Sequence, residues 1–295
     1  MGATTTEEQA AIIDSAIKGI SHIATLPEIT IKIIELVEQP SSTAQDLHKV
    51  IANDPALCSR ILKVVNSAFY GLPRQIGSIN RAIVLLGLNA VKNIAIAASL
   101  TKLFRGGELC PNFSARDLWV HSIGTAACSK LICDTLRIGL PDEAFLAGLI
   151  HDIGMMVEVQ ALREQLVQVF DQLEFDGEGT PLQDMRELER ATIGADHCAF
   201  GAALCETWKF PKSFSYVTGH HHEPMELPGG SRALASVVHI ADRVTAAAGY
   251  GFRSDLLSLE LDPDILSELR MTDEHVQTVR ENLPAMFEEV EGMFR

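Results

Sequence analysis

Apolar residues recur along most of this chain at the three- and four-residue spacing that places them on one face of an α-helix. The first clear stripe ends at Gln39-Pro40 and consists of positions 29, 33, 34, 36 and 37. Alternating runs that would indicate strands are scarce, and aromatic residues make up only 6% of the sequence. The pattern therefore predicts an all-α fold.

Capping residues and prolines divide this helical pattern into elements. The first half is predicted to hold a helix capped by Ser42 or Thr43 and running to about Asn53, a helix opened by Pro55, a helix from about Ile79 to Phe104 that Gly87 weakens, and a loop over 105–111. The second half is predicted to hold a helix capped by Ser114 and running to about Leu136, a helix opened by Pro141 that contains His151-Asp152, a loop over 175–181, a helix from about Asp184 through His197 to Trp208, a helix around His220, and a helix over 234–248.

Changes in chemistry along the chain suggest a division into four parts. We expect an N-terminal extension over 1–22, a helical half over 23–107, a second helical half over 108–254, and an acidic helical tail over 255–295. The tail holds eleven acids and three bases but keeps helical apolar spacing, so we interpret it as a solvated helix rather than disorder.

Charge and composition exclude several classes of protein. The formal net charge of −15 argues against a general nucleic-acid binder and against docking on an anionic membrane. The N-terminus has neither a basic region nor an apolar signal region, so we expect a cytoplasmic protein. The most apolar stretch is interrupted by Arg81 and Lys92, which favours a core helix over a membrane span. The six cysteines are expected to be reduced core thiols.

Histidines and aspartates in the second half suggest metal chemistry. Seven of the ten histidines fall between 121 and 239. A lone histidine is more often a satisfied core or surface residue, but His151-Asp152 lies in the apolar segment AFLAGLIHDIGMMVEV. Burying both groups there is costly unless a metal or a partner compensates, and Gly154 permits close approach of another backbone. Nitrogen and carboxylate ligands together suit Fe, Mn, Zn or Ni.

The order of these residues resembles a known superfamily. His121, His151-Asp152 and Asp242 match the H…HD…D order of the HD metal-dependent phosphohydrolases. His197 and His221-His222, followed by Glu223, resemble the extra ligands of its HD-GYP branch. The first half is more diagnostic, because its motifs resemble in order those of the HDOD family, the HD-related output domains of bacterial signalling proteins: Leu26-Pro27, NDPAL at 53–57, NSAFYG at 66–71, Ser78-Ile79, Ala82-Ile83 and LLG at 85–87. The resemblance covers about residues 26–249.

This resemblance implies an all-α fold in which an N-terminal helical bundle packs on an HD-like helical bundle. It implies one cleft holding divalent metal ions, for which Fe, Mn, Ni and Zn are the candidates. Seven ligands exceed what one tetrahedral zinc needs and favour two ions, with six-coordinate ions such as Fe or Mn preferred. The expected ligands are His121, His151, Asp152, His197, His221, His222 and Asp242. If they converge, the side chains of His151 and Asp242 lie within about 8 Å of each other.

The family further implies signal output rather than an established reaction. Active HD-GYP proteins carry a lysine where this chain has Met155, and the GYP segment is absent after Glu223. We therefore expect a regulatory module that binds metal with little or no catalytic turnover. The alternatives are a metal-dependent phosphodiesterase acting on a cyclic dinucleotide or another phosphoester, and a metal-free scaffold.

The expected partners are other signalling proteins and a nucleotide or phosphate ligand, without direct contact to nucleic acid or membrane. No receiver, sensor or DNA-binding segment is recognisable, so we expect action through separate molecules.

Several residues keep two interpretations. His220 is either a neighbour of the ligands or exposed, and Asp117 either reaches the site or favours the helix dipole. Asn66-Ser67 forms either a polar notch for a partner or a helix C-cap. Four other histidines are interpreted as structural or exposed: His22, His48, His239 and His275.

Overall fold

The computed structural model of the protein describes residues 5–20, 28–39, 41–67, 70–100, 103, 108–110, 113–177 and 179–294. His22, Leu26-Pro27, Ala68-Phe69 and positions 104–107 lie outside the described residues, so the interpretations of these positions stay predictions.

Helices dominate the described residues, as the hydrophobic pattern predicts. The helices are α1 (Thr6–Gly19), α2 (Glu28–Glu38), α3 (Ala44–Ala52), α4 (Pro55–Val65), α5 (Ile79–Leu86), α6 (Leu88–Leu100), α7 (Ala115–Leu136), α8 (Pro141–Ile150), α9 (Ile153–Ala161), α10 (Arg163–Gln172), α11 (Met185–Thr192), α12 (His197–Thr207), α13 (Lys212–His220), α14 (Ala233–Ala247), α15 (Pro263–Glu268) and α16 (Asp273–Phe294). Two short strands, β1 (Glu108–Cys110) and β2 (Phe113–Ser114), pair antiparallel.

The predicted caps fix several helix starts. Thr43 and Ser114 each accept a hydrogen bond from the backbone three residues on, and Asp54 caps α4 with Pro55 in its first turn. Asn66 is the C-cap of α4: its side chain donates to Leu62 O and Ile76 O and accepts from Ile76 N. The capping interpretation of Asn66 therefore agrees with the structure.

The helix predicted from Ile79 to Phe104 is instead two helices. Gly87 has φ of +91°, a conformation that L side chains rarely adopt, and it ends α5 before α6 begins at Leu88. The loop predicted over 105–111 contains β1, which the sequence pattern did not indicate.

The two halves meet through α6. It is buried from Ala90 to Leu100, and it packs on α2 and α4 of the first half and on α8 of the second. Tyr70 also crosses this boundary, since its hydroxyl donates to the Asp142 carboxylate at 3.2 Å. Helix α1 packs on α9 and α12. An N-terminal bundle packed on a second bundle is therefore the observed architecture, as predicted.

The second half is built around α7, which contacts α8, α14 and α16. Within the described residues, one segment is long and apolar enough to cross a membrane, Pro141–Ala161, and 83% of its 18-residue apolar stretch is buried inside the fold. The predicted acidic tail is helical only from Pro263 onward, in α15 and α16. Helix α16 is not solvated all round, because it buries Val279, Leu283 and Val290 against the core. All six cysteines are free thiols, and five of them are buried.

Candidate metal centre

Five segments of the second half bring the predicted ligands to one place. His121 lies in the middle of α7, and Asp242 lies in α14. His151-Asp152 occupies the turn between α8 and α9, rather than lying inside one helix as predicted. The predicted helix from Asp184 to Trp208 is also broken, so His197 is the first residue of α12, after its cap Asp196. His221-His222 directly follows α13.

The ligand atoms form two adjoining sets. The five-ligand set consists of Asp152, His197, His221, His222 and Asp255, whose ligand atoms all lie within 4.8 Å of one another. The three-ligand set consists of His121, His151 and Asp242, within the same limit.

Asp152 joins the two sets. Its Oδ1 lies 3.2 Å from His221 Nε2 in the five-ligand set, and its Oδ2 lies 3.1 Å from His151 Nε2 in the three-ligand set. His121 Nε2 lies 3.0 Å from Asp242 Oδ1. All seven predicted residues therefore belong to one continuous cluster, and the geometric criterion for His151 and Asp242 is met.

Oxygen atoms lie within hydrogen-bond distance of Nδ1 in four of the imidazoles and thereby orient the rings. Nδ1 of His151 lies 2.8 Å from Gly148 O, Nδ1 of His121 lies 3.3 Å from Tyr250 O, and Nδ1 of His221 lies 3.3 Å from Val217 O. Nδ1 of His197 lies 2.9 Å from the Glu189 carboxylate. A ring whose Nδ1–H donates to such an oxygen presents Nε2 as the ligand atom, which is the arrangement of metal-binding histidines.

Glycines permit the close approach that sets His197 beside Asp152. A Cβ on Gly154 of α9 would lie 1.8 Å from His197 O and 2.7 Å from Gly201 N of α12. The backbones of α9 and α12 therefore touch at this point, which fits the expectation that Gly154 permits such an approach.

Burial and charge in this cluster oppose each other. Burial alone would lower the pKa of His151, but the neighbouring Asp152 carboxylate raises that pKa to about 9. Burial alone would raise the pKa of Asp152, but His151 and His221 hold it well below its usual range. Burial, His221 and His197 lower the pKa of His222. Without a metal, the pair of His151 and Asp152 therefore favours its charged form, whereas His222 favours the neutral imidazole.

The donor set fits divalent metal ions. Among the described residues, the carboxylate oxygens of Asp152 and Asp242 and Nε2 of His151 and His221 make no well-aligned hydrogen bond, and the contacts between these carboxylates and the imidazoles are ion pairs at 3.0–3.2 Å. Neither oxygen of Asp255 has a hydrogen-bond partner among the described residues, and its Oδ2 lies 3.5 Å from His222 Nε2. Such buried atoms are costly unless a cation compensates them. His197 Nε2 and His222 Nε2 lie 3.1 Å apart, which is close to the separation of about 3.0 Å between neighbouring nitrogens bound at ~2.1 Å to a six-coordinate ion.

Two further residues of this centre, Asp255 and Glu189, were missed by sequence reasoning, and a third, His239, was expected only to be structural or exposed. Asp255 lies 3.5 Å from His222 Nε2, and burial together with Asp152 and Asp242 raises its pKa to about 7. Glu189 accepts from both the backbone N–H and Nδ1 of His197. His239 donates from Nδ1 to His221 O at 2.7 Å, which gives this histidine the structural role expected of it.

Other candidates lie outside the cluster. His220 is 36% exposed at its side chain and lies 3.7 Å from Glu226, so the His221-His222 register agrees with the structure. Asp117 is exposed, and its carboxylate accepts from Ser114 Oγ as a first-turn acid. His275 is partly exposed near the start of α16, and His48 is partly exposed in α3.

Comparisons with known proteins agree with this architecture. The HDOD domain family matches residues 23–224 of the chain. An uncharacterized protein of Treponema pallidum (strain Nichols) is 25% identical over 242 residues, which cover 81% of this chain and 44% of that protein. The chain thus spans less than half the length of this curated relative.

Two solved structures share the fold. An HDOD domain protein of unknown function from Geobacter sulfurreducens superposes with a TM-score of 0.78 at 23% identity, covering 98% of this chain and 99% of the other. A protein from Shewanella amazonensis SB2B, whose description proposes a phosphohydrolase, superposes with a TM-score of 0.69 at 20% identity, covering 97% and 98%. At these identities the likeness concerns the fold alone.

Proposed function

The chain belongs to the HDOD family, and from that premise we propose that it is a signalling output module whose HD-like centre holds divalent metal with little or no catalytic turnover. The observation that carries the proposal is the convergence of seven buried histidine and aspartate side chains, with four imidazoles oriented so that Nε2 faces the cluster. In a metal-free scaffold these buried carboxylates would rest on ion pairs with neighbouring imidazoles alone, without well-aligned hydrogen bonds, which is a costly arrangement.

The two sets suggest two ions. His197, His221, His222 and Asp152 would hold one ion, and His121, His151, Asp242 and the second oxygen of Asp152 would hold the other. Mixed nitrogen and carboxylate ligation suits Mn, Fe, Ni or Zn. Bound metal of this kind polarises phosphate oxygens and lowers the pKa of a bound water.

Low turnover follows from what surrounds the cluster. Met155 is fully buried and apolar where the resemblance to active HD-GYP proteins calls for a lysine facing phosphate. A missing positioned charge donor commonly lowers a rate by about 10²–10³. The cluster is also closed to solvent, because none of its seven predicted side chains belongs to a residue more than 8% exposed. Binding without turnover is therefore the better supported role.

One observation, the position of Arg243, favours the alternative of a phosphodiesterase. Arg243 follows Asp242 on α14, and its Nη1 lies 3.9 Å from Asp242 Oδ2. A guanidinium at this position can attract the phosphate of a nucleotide or another phosphoester that reaches the ions. The same group supports a phosphate ligand that is bound and sensed without being cleaved.

The test combines metal loading with a hydrolysis assay. Protein purified without a polyhistidine tag is stripped with a chelator, reloaded with Mn²⁺ or Fe²⁺, and assayed for metal content and for hydrolysis of cyclic di-GMP. We expect close to two ions per chain and turnover below about 0.01 s⁻¹, against the ~1 s⁻¹ and above of ordinary enzymes. Failure to bind metal would support the scaffold, and turnover near 1 s⁻¹ would establish the phosphodiesterase.

A further inference from the structure

Residues 249–256, here called the strap, cross the metal centre between α14 and α15. The strap is anchored to α7: Tyr250 O faces His121 Nδ1 at 3.3 Å, and Phe252 N donates to Asp117 O at 3.2 Å. Gly251 has φ of +74°, and a Cβ there would lie 2.2 Å from Asp117 O. The strap can therefore lie this close to the helix that carries His121 only because residue 251 is glycine.

The far part of the strap is anchored by side chains. The Phe252 ring packs edge-on to Phe113 with centroids 5.3 Å apart and also against Phe170. Arg253 donates to Thr180 Oγ1 at 2.9 Å, and Leu256 N closes a turn on Arg253 O. These contacts hold the strap on both sides of Asp255, whose side chain is fully buried.

Asp255 adds a carboxylate where three histidines and Asp152 already converge. Its Oδ2 lies 3.5 Å from His222 Nε2, and within the described residues neither of its oxygens has a hydrogen-bond partner. Among the described residues, a buried carboxylate in this position has no compensating hydrogen bond, so a cation is the group that fits it. Asp255 lies outside the 23–224 segment that matches the family.

The number of ligands then limits what else can bind. A six-coordinate ion held by His197, His221, His222, Asp152 and Asp255 keeps one free position. Metal-assisted attack on a phosphate at one ion requires a position for the phosphate oxygen and another for the attacking water. Carboxylate and phosphate oxygens are both anionic and compete for the same position.

We propose that Asp255 is a metal ligand delivered by the strap, and that it takes one of the two positions that a phosphate and an attacking water would need at the ion of the five-ligand set. This inference rests on the proposed metal-binding function and deepens it. The chain's own carboxylate takes the position that a substrate anion would otherwise use at this ion.

The test compares wild-type protein with Asp255→Ala and Asp255→Asn. The control variant is Glu260→Ala, which removes an exposed acid four residues beyond the strap. Mn²⁺ affinity is measured by calorimetry on the metal-free proteins, and thermal unfolding verifies that each is folded. Inorganic phosphate is then added to the Mn²⁺-loaded proteins, and paramagnetic relaxation of its ³¹P signal reports whether it reaches the ion.

Removing a ligand should weaken Mn²⁺ binding at one site by about tenfold or more in both Asp255 variants, because second-shell changes alone cost 10–100-fold. Metal concentrations are then raised to keep that site filled. Phosphate relaxation should be several-fold stronger in Asp255→Ala than in wild type and in Glu260→Ala, which should agree with each other. If Asp255→Ala does not fold, Asp255→Asn has nearly the same shape and carries both readouts.

Equal Mn²⁺ affinity in all the variants, or phosphate relaxation as strong in wild type as in the Asp255 variants, would overturn the inference while leaving the metal centre intact. Wild-type protein that binds no Mn²⁺ would instead overturn the proposed function, and the inference with it.

Discussion

Asp152→Asn should abolish most of the thermal stabilisation that metal gives this protein. Asp152 is the residue that joins the two ligand sets, with Oδ1 3.2 Å from His221 Nε2 and Oδ2 3.1 Å from His151 Nε2. The substitution keeps the shape of the side chain but removes its charge and one anionic oxygen from each set. We therefore expect the metal dissociation constant to rise by about 100-fold or more, at or beyond the upper end of second-shell effects.

The expected shift follows from mass action. At a metal concentration 100 times the wild-type dissociation constant, each bound ion stabilises the folded protein by about 2.7 kcal/mol. A 100-fold weaker site at that concentration is half filled and contributes only about 0.4 kcal/mol. At roughly 2–4 °C per kcal/mol, the gain in melting temperature falls from about 5–11 °C per ion to about 1–2 °C.

Differential scanning fluorimetry with and without Mn²⁺ measures this gain. The gain is compared rather than the melting temperature itself, because the metal-free variant also loses the ion pair of Asp152 with His151. Asp171→Asn is the matched control, since it makes the same change at an exposed position of α10. An Asp152→Asn variant that gains as many degrees as wild type would refute the ligand assignment.

Three further results are expected. Gly154→Ala should destabilise the protein by at least the ~1–3 kcal/mol of ordinary overpacking and should weaken metal binding, because the new Cβ would lie 1.8 Å from His197 O. Urea unfolding measures the stability, and a variant as stable as wild type would contradict the close contact between α9 and α12. Glu189→Gln should weaken Mn²⁺ binding by about 10–100-fold through His197, and calorimetry showing wild-type affinity would exclude that orienting role. The pKa of His151 is raised to about 9 in the fold, so its contribution to the stability of the metal-free protein is complete below about pH 6.5 and is lost as the pH rises through about 9. Mn²⁺ affinity should rise over the same interval, because the proton that competes with the metal leaves His151. Calorimetry showing no change in Mn²⁺ affinity between about pH 7 and 9 would contradict this coupling.

Local signals predicted the elements and their starts. Ser114 and Thr43 cap helices where the sequence places them, because N-cap chemistry depends on residues only three apart. The breaks inside predicted helices were harder to see. Gly87 looked like a weak helical residue, and only its φ of +91° shows that it ends α5. A glycine is compatible with both outcomes, and tertiary packing decides between them.

Part of the candidate site could be predicted from sequence motifs, and part depends on long-range contacts that no local pattern indicates. The seven ligand positions were inferred from the order of their motifs, and the fold brings them into one cluster. Glu189 pairs with His197 across the break between α11 and α12, so helical periodicity does not relate the two residues. Asp255 stands at the start of an acidic segment whose composition predicts solvent exposure, yet its side chain is fully buried at the centre. Only the path of the strap brings it there.

The most direct test of the metal centre is a crystal structure of Mn²⁺-reconstituted protein with anomalous diffraction data. We expect two anomalous peaks, one on each side of Asp152: the first bounded by His197, His221 and His222, and the second by His121, His151 and Asp242. Each peak should lie about 2.0–2.3 Å from its nitrogen and oxygen ligands. A map with no anomalous peak inside this cluster, at Mn²⁺ concentrations that saturate binding in solution, would contradict the proposal that the cluster binds metal.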